Sequence, residues 1–434
     1  MMFGFSMIKL VRRFGDKMDQ PLRDRLVNLY RPLHWVPCFL HSSFEKWIKR
    51  RHRIPVIIEF YQSKNACSLG LKEVQQVASE HRRCKINHEF NSISCCSATL
   101  TANAVEHLIV NGSQIKKIHY DREVNALLDV ASPSIHANHV NDSGLTGKDV
   151  TIAIIDTGIY PHPDLDSRIL AFKDLVNNRD TAYDDNGHGT HCAGDAAGNG
   201  LSSDGKYKGP ASEANVVGVK VLNRTGSGSL STVIAGVQWC IDHKETYKIN
   251  ILSMSLGSRA TQSASDDPVV RIVEQAWERG MVVCVAAGND GPDENTIASP
   301  GISPTVITVG AMEDHNTVNR SDDTIASFSS RGPTIDGFTK PDLLTPGVDI
   351  VSLRSPNSFL DKVSKSSRVG QHYFSLSGTS MATPICAGVA ALVLQQNTNL
   401  TPDQVKEKLL NSAEDWGLPP NTQGKGYLDA EKGV

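Results

Sequence analysis

From residue 149 onward, short runs rich in β-branched residues alternate with longer segments of helical character. Apolar runs without polar alternation are typical of parallel strands that are buried on both faces. The pattern therefore predicts an α/β fold, a mainly parallel sheet with helices on both faces. The predicted strands are Val150–Ile155, Val216–Val221, Ile249–Met254, Val282–Ala286 and Thr305–Val309. The predicted helices are Thr190–Ala197, Leu230–His243, Pro268–Arg279, Ser380–Gln395 and Pro402–Asn411.

The chain before residue 149 has a different pattern. Residues 1–53 predict a helical extension with apolar residues at helical spacing. Residues 54–125 alternate strand, helix, strand, helix and strand, which predicts a small α+β domain of ferredoxin-like type. Residues 126–148 are rich in Ser, Asn and His and are interpreted as a linker to a domain over residues 149–434. If the chain processes itself, we expect the cleaved bond within residues 125–134.

Composition argues against several kinds of partner. The chain has 434 residues and a formal net charge of −3, so it has no excess charge for nucleic acid or an anionic membrane. No apolar run reaches the roughly 20 residues of a membrane span. The first residues lack the order of a secretory signal, and the nine cysteines lack the spacing of a disulfide framework. We expect reduced thiols and a cytoplasmic location, with release at lysis as an alternative.

One serine lies where a helix is predicted to begin. Ser380 stands among small residues in the stretch 377–384 and is followed by an apolar helical run. The free N–H groups and the dipole of that helix would face an oxyanion formed beside the hydroxyl. Taken alone, the serine is better explained as a helix N-cap.

Two further motifs favour the chemical interpretation. Asp156 ends the first predicted strand, and His188 lies between glycines at the start of a predicted helix. A serine hydroxyl needs a base to remove its proton, and the base needs a carboxylate to orient it. The structural alternatives are a turn-forming Asp156 and a helix-capping His188. The chain order Asp, His, Ser is one of three in which this triad is known.

With these three motifs, the sequence resembles the subtilisin-like serine peptidases (subtilases, peptidase family S8) from about residue 150 to the C-terminus. Within them it most resembles the AprX-type bacterial intracellular proteases. The resemblance implies a three-layer catalytic domain and a serine endopeptidase that needs no catalytic cofactor. Ser380 would be the nucleophile, His188 the general base and Asp156 its orienting partner. Residues 54–125 resemble an inhibitory propeptide domain, with a permanent structural domain as the alternative.

The oxyanion needs at least two hydrogen-bond donors. The backbone N–H of Ser380 is one, and Asn289, which follows a predicted strand, is expected to supply the second. Thr379 is expected to add a weaker contact. The structural alternative for Asn289 is a turn asparagine.

The substrate is expected to bind as an extended strand. The resemblance assigns two flanking edges and a first pocket with small, uncharged walls, which favours apolar P1 side chains. The assigned residues are Gly226, Ser227, Gly228, Ser255, Leu256, Gly257, Ala286, Ala287, Gly288 and Ala298. An outer apolar pocket is assigned to Leu222, Val233 and Leu256, and Asp290 lies near the rim.

Metal binding has two candidate locations. His191 and Cys192 follow His188 closely, but no further ligand motif completes a zinc site, so His191 is interpreted as structural and Cys192 as a neighbour of the site. The resemblance implies a structural Ca²⁺, for which Asp164, Asn199 and Asp204 are the candidates. Ordinary surface turns explain these three residues equally well.

Two other functions fit parts of the sequence. An esterase of the α/β-hydrolase type would need the order Ser, Asp, His and a G-x-S-x-G elbow, neither of which is present. A catalytically silent scaffold, with its cleft filled by the N-terminal domain, would not need the triad.

Overall fold

The computed structural model describes residues 6–29, 41–61, 66–90, 94–120 and 128–434. The chain divides into two compact units, Met1–Val124 and Asn125–Val434. Each unit has its own hydrophobic core.

In the first unit, three helices precede a four-stranded sheet. The helices are α1 (Ser6–Arg13), α2 (Gln20–Asn28) and α3 (His41–Arg51). The sheet and its two further helices follow in the order β1 (Arg53–Phe60), α4 (Ala66–Glu80), β2 (Lys85–Phe90), β3 (Cys95–Thr101), α5 (Ala102–Asn111) and β4 (Ile115–Tyr120).

The strand order β2-β3-β1-β4, with antiparallel pairs, is that of a ferredoxin-like fold. Alternation in β1 buries Ile54, Val56, Ile58 and Phe60 against the helices. The sequence prediction omitted β2. This strand is rich in polar residues and lies at the edge of the sheet, where it pairs with a neighbour on one side. An inhibitory role for this unit stays a prediction.

The linker predicted over residues 126–148 is wrong for most of its length. Two helices lie there, α6 (Leu128–Ser134) and α7 (Ala137–Asp142), and they belong to the second unit. Ala131 and Ile135 are fully buried in the core of that unit. Of the predicted processing window, residues 125–127 lie outside the described residues, and the rest is helical.

The second unit is built on an eight-stranded sheet, parallel except for β13. Its strands β5, β7, β8 and β10 are almost entirely buried, as their apolar sequences predict. The strands are β5 (Thr151–Asp156), β6 (Ile169–Asp174), β7 (Asn215–Lys220), β8 (Ile249–Met254), β10 (Val282–Ala286), β12 (Ile307–Glu313), β13 (Thr324–Ile325) and β14 (Leu343–Pro346). Two smaller sheets contain β9 (Ser258–Arg259), β11 (Ala298–Ser299), β15 (Ile350–Leu353), β16 (Arg368–Val369) and β17 (Tyr373–Leu376).

Helices cover the sheet. The helix α13 is buried nearly all round and packs across β8, β10 and β12 beside α8, whereas α9 and α11 pack on each other and on β5 and β10. The remaining helices are short or peripheral. The helices of this unit after α7 are α8 (His188–Ala197), α9 (Leu230–Asp242), α10 (Lys244–Tyr247), α11 (Pro268–Glu278), α12 (Phe359–Val363), α13 (Thr379–Gln396), α14 (Pro402–Ser412), α15 (Pro420–Gln423) and α16 (Ala430–Gly433).

The strand order β12-β10-β8-β5-β7-β6 reverses direction at β5. From β5 the chain continues to β6 and β7 on one side, and later to β8, β10 and β12 on the other. Ligands of open α/β sheets bind beyond the carboxyl ends of the strands at such a reversal. The residues that follow β5, β8 and β10 are therefore the first place to look for a site.

Two predictions concern membrane spans and the state of the cysteines. Among the described residues, no helix combines the length and the apolar character needed to cross a membrane. Seven of the cysteines that the structure describes are free thiols: Cys67, Cys84, Cys96, Cys192, Cys240, Cys284 and Cys386. The cytoplasmic location stays a prediction.

Candidate active site

An aspartate and a histidine pair at the carboxyl end of β5. Asp156 is the last residue of the strand and is fully buried. Its Oδ1 lies 2.8 Å from Nδ1 of His188, the first residue of α8. The Thr157 N–H donates to the same oxygen at 2.7 Å. Burial is the largest single influence on the pKa of His188 and lowers it. The charge and hydrogen bond of Asp156, together with the contact to Cys192, outweigh burial and raise that pKa well above its usual value.

A second buried carboxylate fixes the position of His188. Asp184 Oδ1 accepts from the Thr157 hydroxyl at 3.0 Å and from the Gly187 N–H at 2.8 Å. Its Oδ2 accepts from the Thr190 hydroxyl at 2.6 Å. Asp184 thus ties the start of α8 to the end of β5, a role that the sequence analysis missed because it depends on contacts between two loops.

The third residue lies at the start of α13. The helix begins at Thr379, so Pro384 lies beyond its first turn. Proline has no N–H, so the carbonyl of Ser380 loses its helical partner. The Ser255 hydroxyl donates to that carbonyl at 2.6 Å, and the Cys192 thiol lies 3.5 Å from it. This replacement holds the first turn of α13 against the end of β8.

The Ser380 hydroxyl faces the same region. It donates to the carbonyl of Ser255 at 3.2 Å, and within the described part of the chain it makes no hydrogen bond to His188. Ser380 and His188 nevertheless line one cavity of about 690 Å³. The structure therefore brings the three predicted residues to one sheet edge, with the hydroxyl in a rotamer that points at a backbone oxygen.

Asn289 lies beyond the end of β10 in the same cavity. Its Oδ1 accepts from the Thr379 N–H at 2.9 Å and from the Thr379 hydroxyl at 3.0 Å. Because both bonds use the oxygen, the amide nitrogen is left as a donor. Thr379 thus orients Asn289, whereas the sequence analysis expected Thr379 to contact the oxyanion itself.

His191 and Cys192 do not form a zinc site with His188. His191 is fully buried and has a structural role, since its Nδ1 lies 2.9 Å from Asp195 and its Nε2 3.0 Å from the Ile350 carbonyl. Cys192 Sγ lies 3.7 Å from His188 Nδ1. Asp156, His188 and Cys192 each offer one atom close enough to hold a metal ion. However, the carboxylate and the ring already pair with each other at 2.8 Å, and the proton of that bond occupies the ring nitrogen.

Most of the predicted substrate residues line the cavity. They are Gly226, Ser227, Gly228, Ser255, Leu256, Gly257, Ala286, Gly288 and Ala298. Leu222, Val233 and Asp290 also line it. Ala287 does not, because its side chain packs into a separate apolar cluster with Val270 and Ile302. The sequence analysis missed Arg259 and Leu360, which the fold brings in from β9 and α12.

The residues predicted for calcium do not fit that ion. Asp164 is fully buried, and its oxygens already accept from the Tyr373 hydroxyl at 2.6 Å and from the Ser202 N–H at 2.9 Å. Asn199 Oδ1 accepts from the Leu201 N–H at 2.9 Å. Asp204 is exposed. Hydrogen bonds of the chain itself thus occupy the ligands that calcium would need.

Comparison with known proteins gives consistent results. The sequence pattern of the Subtilase family matches residues 147–431. The chain is 55% identical over 441 residues to Serine protease AprX of Bacillus subtilis (strain 168). The aligned region covers 100% of this chain and 99% of that protein. It is 33% identical over 383 residues to Subtilisin E of the same strain, covering 86% of this chain and 89% of that protein.

Solved structures share the fold. Sphericase is similar with a TM-score of 0.55 and 30% identity, over 65% of this chain and 92% of that one. A cold adapted subtilisin-like serine proteinase is similar with a TM-score of 0.50 and 34% identity, over 65% of this chain and 88% of that one. The predicted fold class and resemblance are confirmed, and the esterase alternative is wrong. The chain belongs to the subtilase family and is a serine endopeptidase.

Proposed function

We propose that the protein hydrolyses internal peptide bonds through an acyl-enzyme on Ser380, with His188 as general base and acid and Asp156 as its orienting partner. The observation that carries this proposal is the 2.8 Å contact between His188 Nδ1 and Asp156 Oδ1, beside Ser380 in one cavity. The carboxylate holds the proton on Nδ1, so that Nε2 presents its lone pair.

The first chemical step begins with a rotation about the Cα–Cβ bond of Ser380. The hydroxyl leaves the Ser255 carbonyl and donates to Nε2 of neutral His188. Attack on the substrate carbonyl forms the O–C bond while the proton moves to Nε2. The tetrahedral intermediate expels the amine, which takes that proton, and water then repeats the sequence to release the acid.

Asn289 and the Ser380 N–H are the proposed oxyanion donors. Support comes from the two bonds that Thr379 makes to Asn289 Oδ1, since they leave the amide nitrogen free for a ligand. A fixed donor of this kind costs no reorganisation when charge develops on the substrate oxygen.

Asn289→Ala is expected to lower kcat about 10²- to 10³-fold with little change in KM, a size that belongs to the oxyanion asparagine of subtilisin, a relative of this chain. Steady-state kinetics on a peptide substrate measure it. The exposed Asn399→Ala is the matched control. Because Asn289→Ala also removes the acceptor of the Thr379 N–H, thermal unfolding should be compared. A loss confined to KM would contradict the oxyanion role.

The proposed substrate is an extended peptide lying between residues 226–228 and 255–257. The glycines at these edges let a peptide backbone approach closely. Ala286, Gly288 and Ala298 leave room for a sizeable apolar side chain. A Cβ on Gly288 would lie 3.1 Å from that of Ala298, so this wall has no space for a larger residue.

We expect peptides that differ only at P1 to be cleaved with kcat/KM roughly 10²-fold higher for Phe or Leu than for Asp, because the small uncharged walls cannot solvate a carboxylate. Competition between two substrates in one reaction gives this ratio directly and cancels the enzyme concentration. Ala298→Val should reduce the preference for Phe over Ala by narrowing the pocket. Equal rates for Phe and Asp would disprove the apolar assignment.

A further inference from the structure

Two aspartates that do not line the catalytic cavity face each other where a loop joins β12 to β13. β12 and β13 are antiparallel, with Met312 opposite Ile325 and Glu313 opposite Thr324. Continuing this register by one step places Asp314 opposite Asp323. Directly opposite residues of an antiparallel pair project their side chains to the same face, about 5 Å apart at Cβ.

Both carboxylates are buried and largely without partners. Asp314 is 3% exposed and Asp323 5% exposed. Asp314 Oδ1 accepts from the Asn316 N–H at 3.0 Å. The remaining three oxygens, Asp314 Oδ2 and both oxygens of Asp323, are buried without a hydrogen-bond partner among the described residues. Such unsatisfied groups are rare, because no hydrogen bond compensates the free energy that is lost when the group leaves water.

The nearby arginine does not neutralise the pair. Arg320 donates from Nε to the Ser134 carbonyl at 2.5 Å, from one terminal nitrogen to Glu414 at 3.0 Å and from the other to the Leu428 carbonyl at 2.9 Å. Its charge favours ionised Asp323, but its hydrogen bonds go elsewhere. All three nitrogens are therefore engaged without reaching the carboxylates.

The other charged groups on the loop between the strands also have different partners. His315 Nε2 lies 3.2 Å from the Thr324 hydroxyl, and its Nδ1 lies 3.5 Å from Glu313. Asp322 is exposed and accepts from the Thr317 hydroxyl at 3.1 Å. Asp322 adds a further negative charge beside the pair.

A tyrosine oxygen lies beside the same two carboxylates. Tyr427 is fully buried, and its pKa is raised by burial and by the nearby Asp323 and Asp314. The Ser134 and Tyr427 hydroxyls lie 3.0 Å apart, and either one can be the donor of that contact. The Tyr427 hydroxyl also lies near enough to Asp323 to favour the ionised form of that carboxyl, by lowering its pKa.

Two like charges placed directly opposite each other destabilise an antiparallel pair. The register of β12 and β13 therefore requires something positively charged between the two carboxylates, either a proton or a metal ion.

We propose that Asp314 and Asp323 bind a hard divalent cation, Ca²⁺ or Mg²⁺, where the loop of residues 315–322 leaves β12 and enters β13. Three carboxylate oxygens supply the kind of ligand that these ions prefer, and water completes the coordination. The ion would link the end of β12 to the start of β13. This site is distinct from Asp164 and independent of the proposed catalytic roles.

The test uses full-length protein carrying Ser380→Ala, which prevents self-digestion, after treatment with EDTA. At pH 8, CaCl₂ or MgCl₂ is expected to raise Tm by roughly 5 °C at about a hundred times Kd, and by less at pH 5. Asp323→Asn, and independently Asp314→Asn, should abolish this shift. The exposed Asp322→Asn should retain most of it. Tb³⁺ luminescence sensitised by Tyr427, and displaced by Ca²⁺, should disappear in the first two variants.

Three outcomes would overturn the proposal. One is the absence of a Tm shift with either ion. Another is a shift of equal size in the parent and in both Asp→Asn variants, which would place the cation elsewhere. The third is a higher Tm of Asp314→Asn at pH 8 together with no cation response in the parent, which would mean that the pair holds a shared proton.

Discussion

Ser380→Ala is expected to abolish proteolysis, with kcat falling about 10⁶-fold, a magnitude that belongs to subtilisin, a relative of this chain. The loss follows from removal of the oxygen that forms the acyl-enzyme. No neighbouring group replaces it: the Cys192 sulfur contacts the Ser380 carbonyl but is fully buried, and burial raises its pKa to about 11. Casein digestion measures the rate, and a fluorescent fluorophosphonate reports the nucleophile directly.

The matched control is Ser377→Ala, three residues earlier in the same stretch. Among the described residues, its exposed hydroxyl bonds to Asp349. The Ser377→Ala variant should therefore be labelled as fast as the parent. Circular dichroism and thermal unfolding should show that both variants fold, since Ser380 makes its structural contact through its backbone carbonyl. Labelling of the Ser380→Ala protein at the parent's rate would require a different nucleophile.

Much of the second unit could be predicted from the sequence because its strands are buried on both faces. Such strands are continuous apolar runs, and the predicted strand Ile249–Met254 matches β8 residue for residue. The polar edge strand β2 and the short strand β14 carry no such signal. The helices α6 and α7 were missed because Pro133 and several polar residues resemble a loop, although small residues such as Ala131 bury their inner face.

The candidate site was predictable for a different reason. Asp156, His188 and Ser380 each lie in a local motif, and their chain order is informative. The residues that hold them have no such motif. Asp184 acts through a neighbouring loop, and the Ser255 hydroxyl replaces a helical bond that Pro384 removes more than a hundred residues later. The facing pair of Asp314 and Asp323 can also be recognised only once register and burial are known.

Asp156→Asn is expected to lower kcat roughly 10⁴-fold while leaving the fold intact. Asparagine lacks the charge that stabilises the imidazolium, although its oxygen can keep the bonds that Oδ1 accepts from His188 Nδ1 and the Thr157 N–H. In the other orientation of the amide, at the expense of the Thr157 bond, the NH₂ faces the ring. That orientation favours the tautomer with the proton on Nε2, which cannot accept the proton of the serine. The matched control is Asp166→Asn, the same substitution at an exposed aspartate.

The same variant tests the pKa of His188. In the parent, Asp156 raises that pKa well above its usual value, so kcat/KM should rise through a midpoint above about 6.5 and stay high into alkaline pH. Without the carboxylate, burial is the main remaining influence and favours the neutral ring, so the midpoint should move to lower pH although the plateau is far lower. Titrations of kcat/KM from pH 5 to 9 with one peptide separate these effects. A midpoint that is the same in parent and variant would mean that Asp156 does not control the charge of His188.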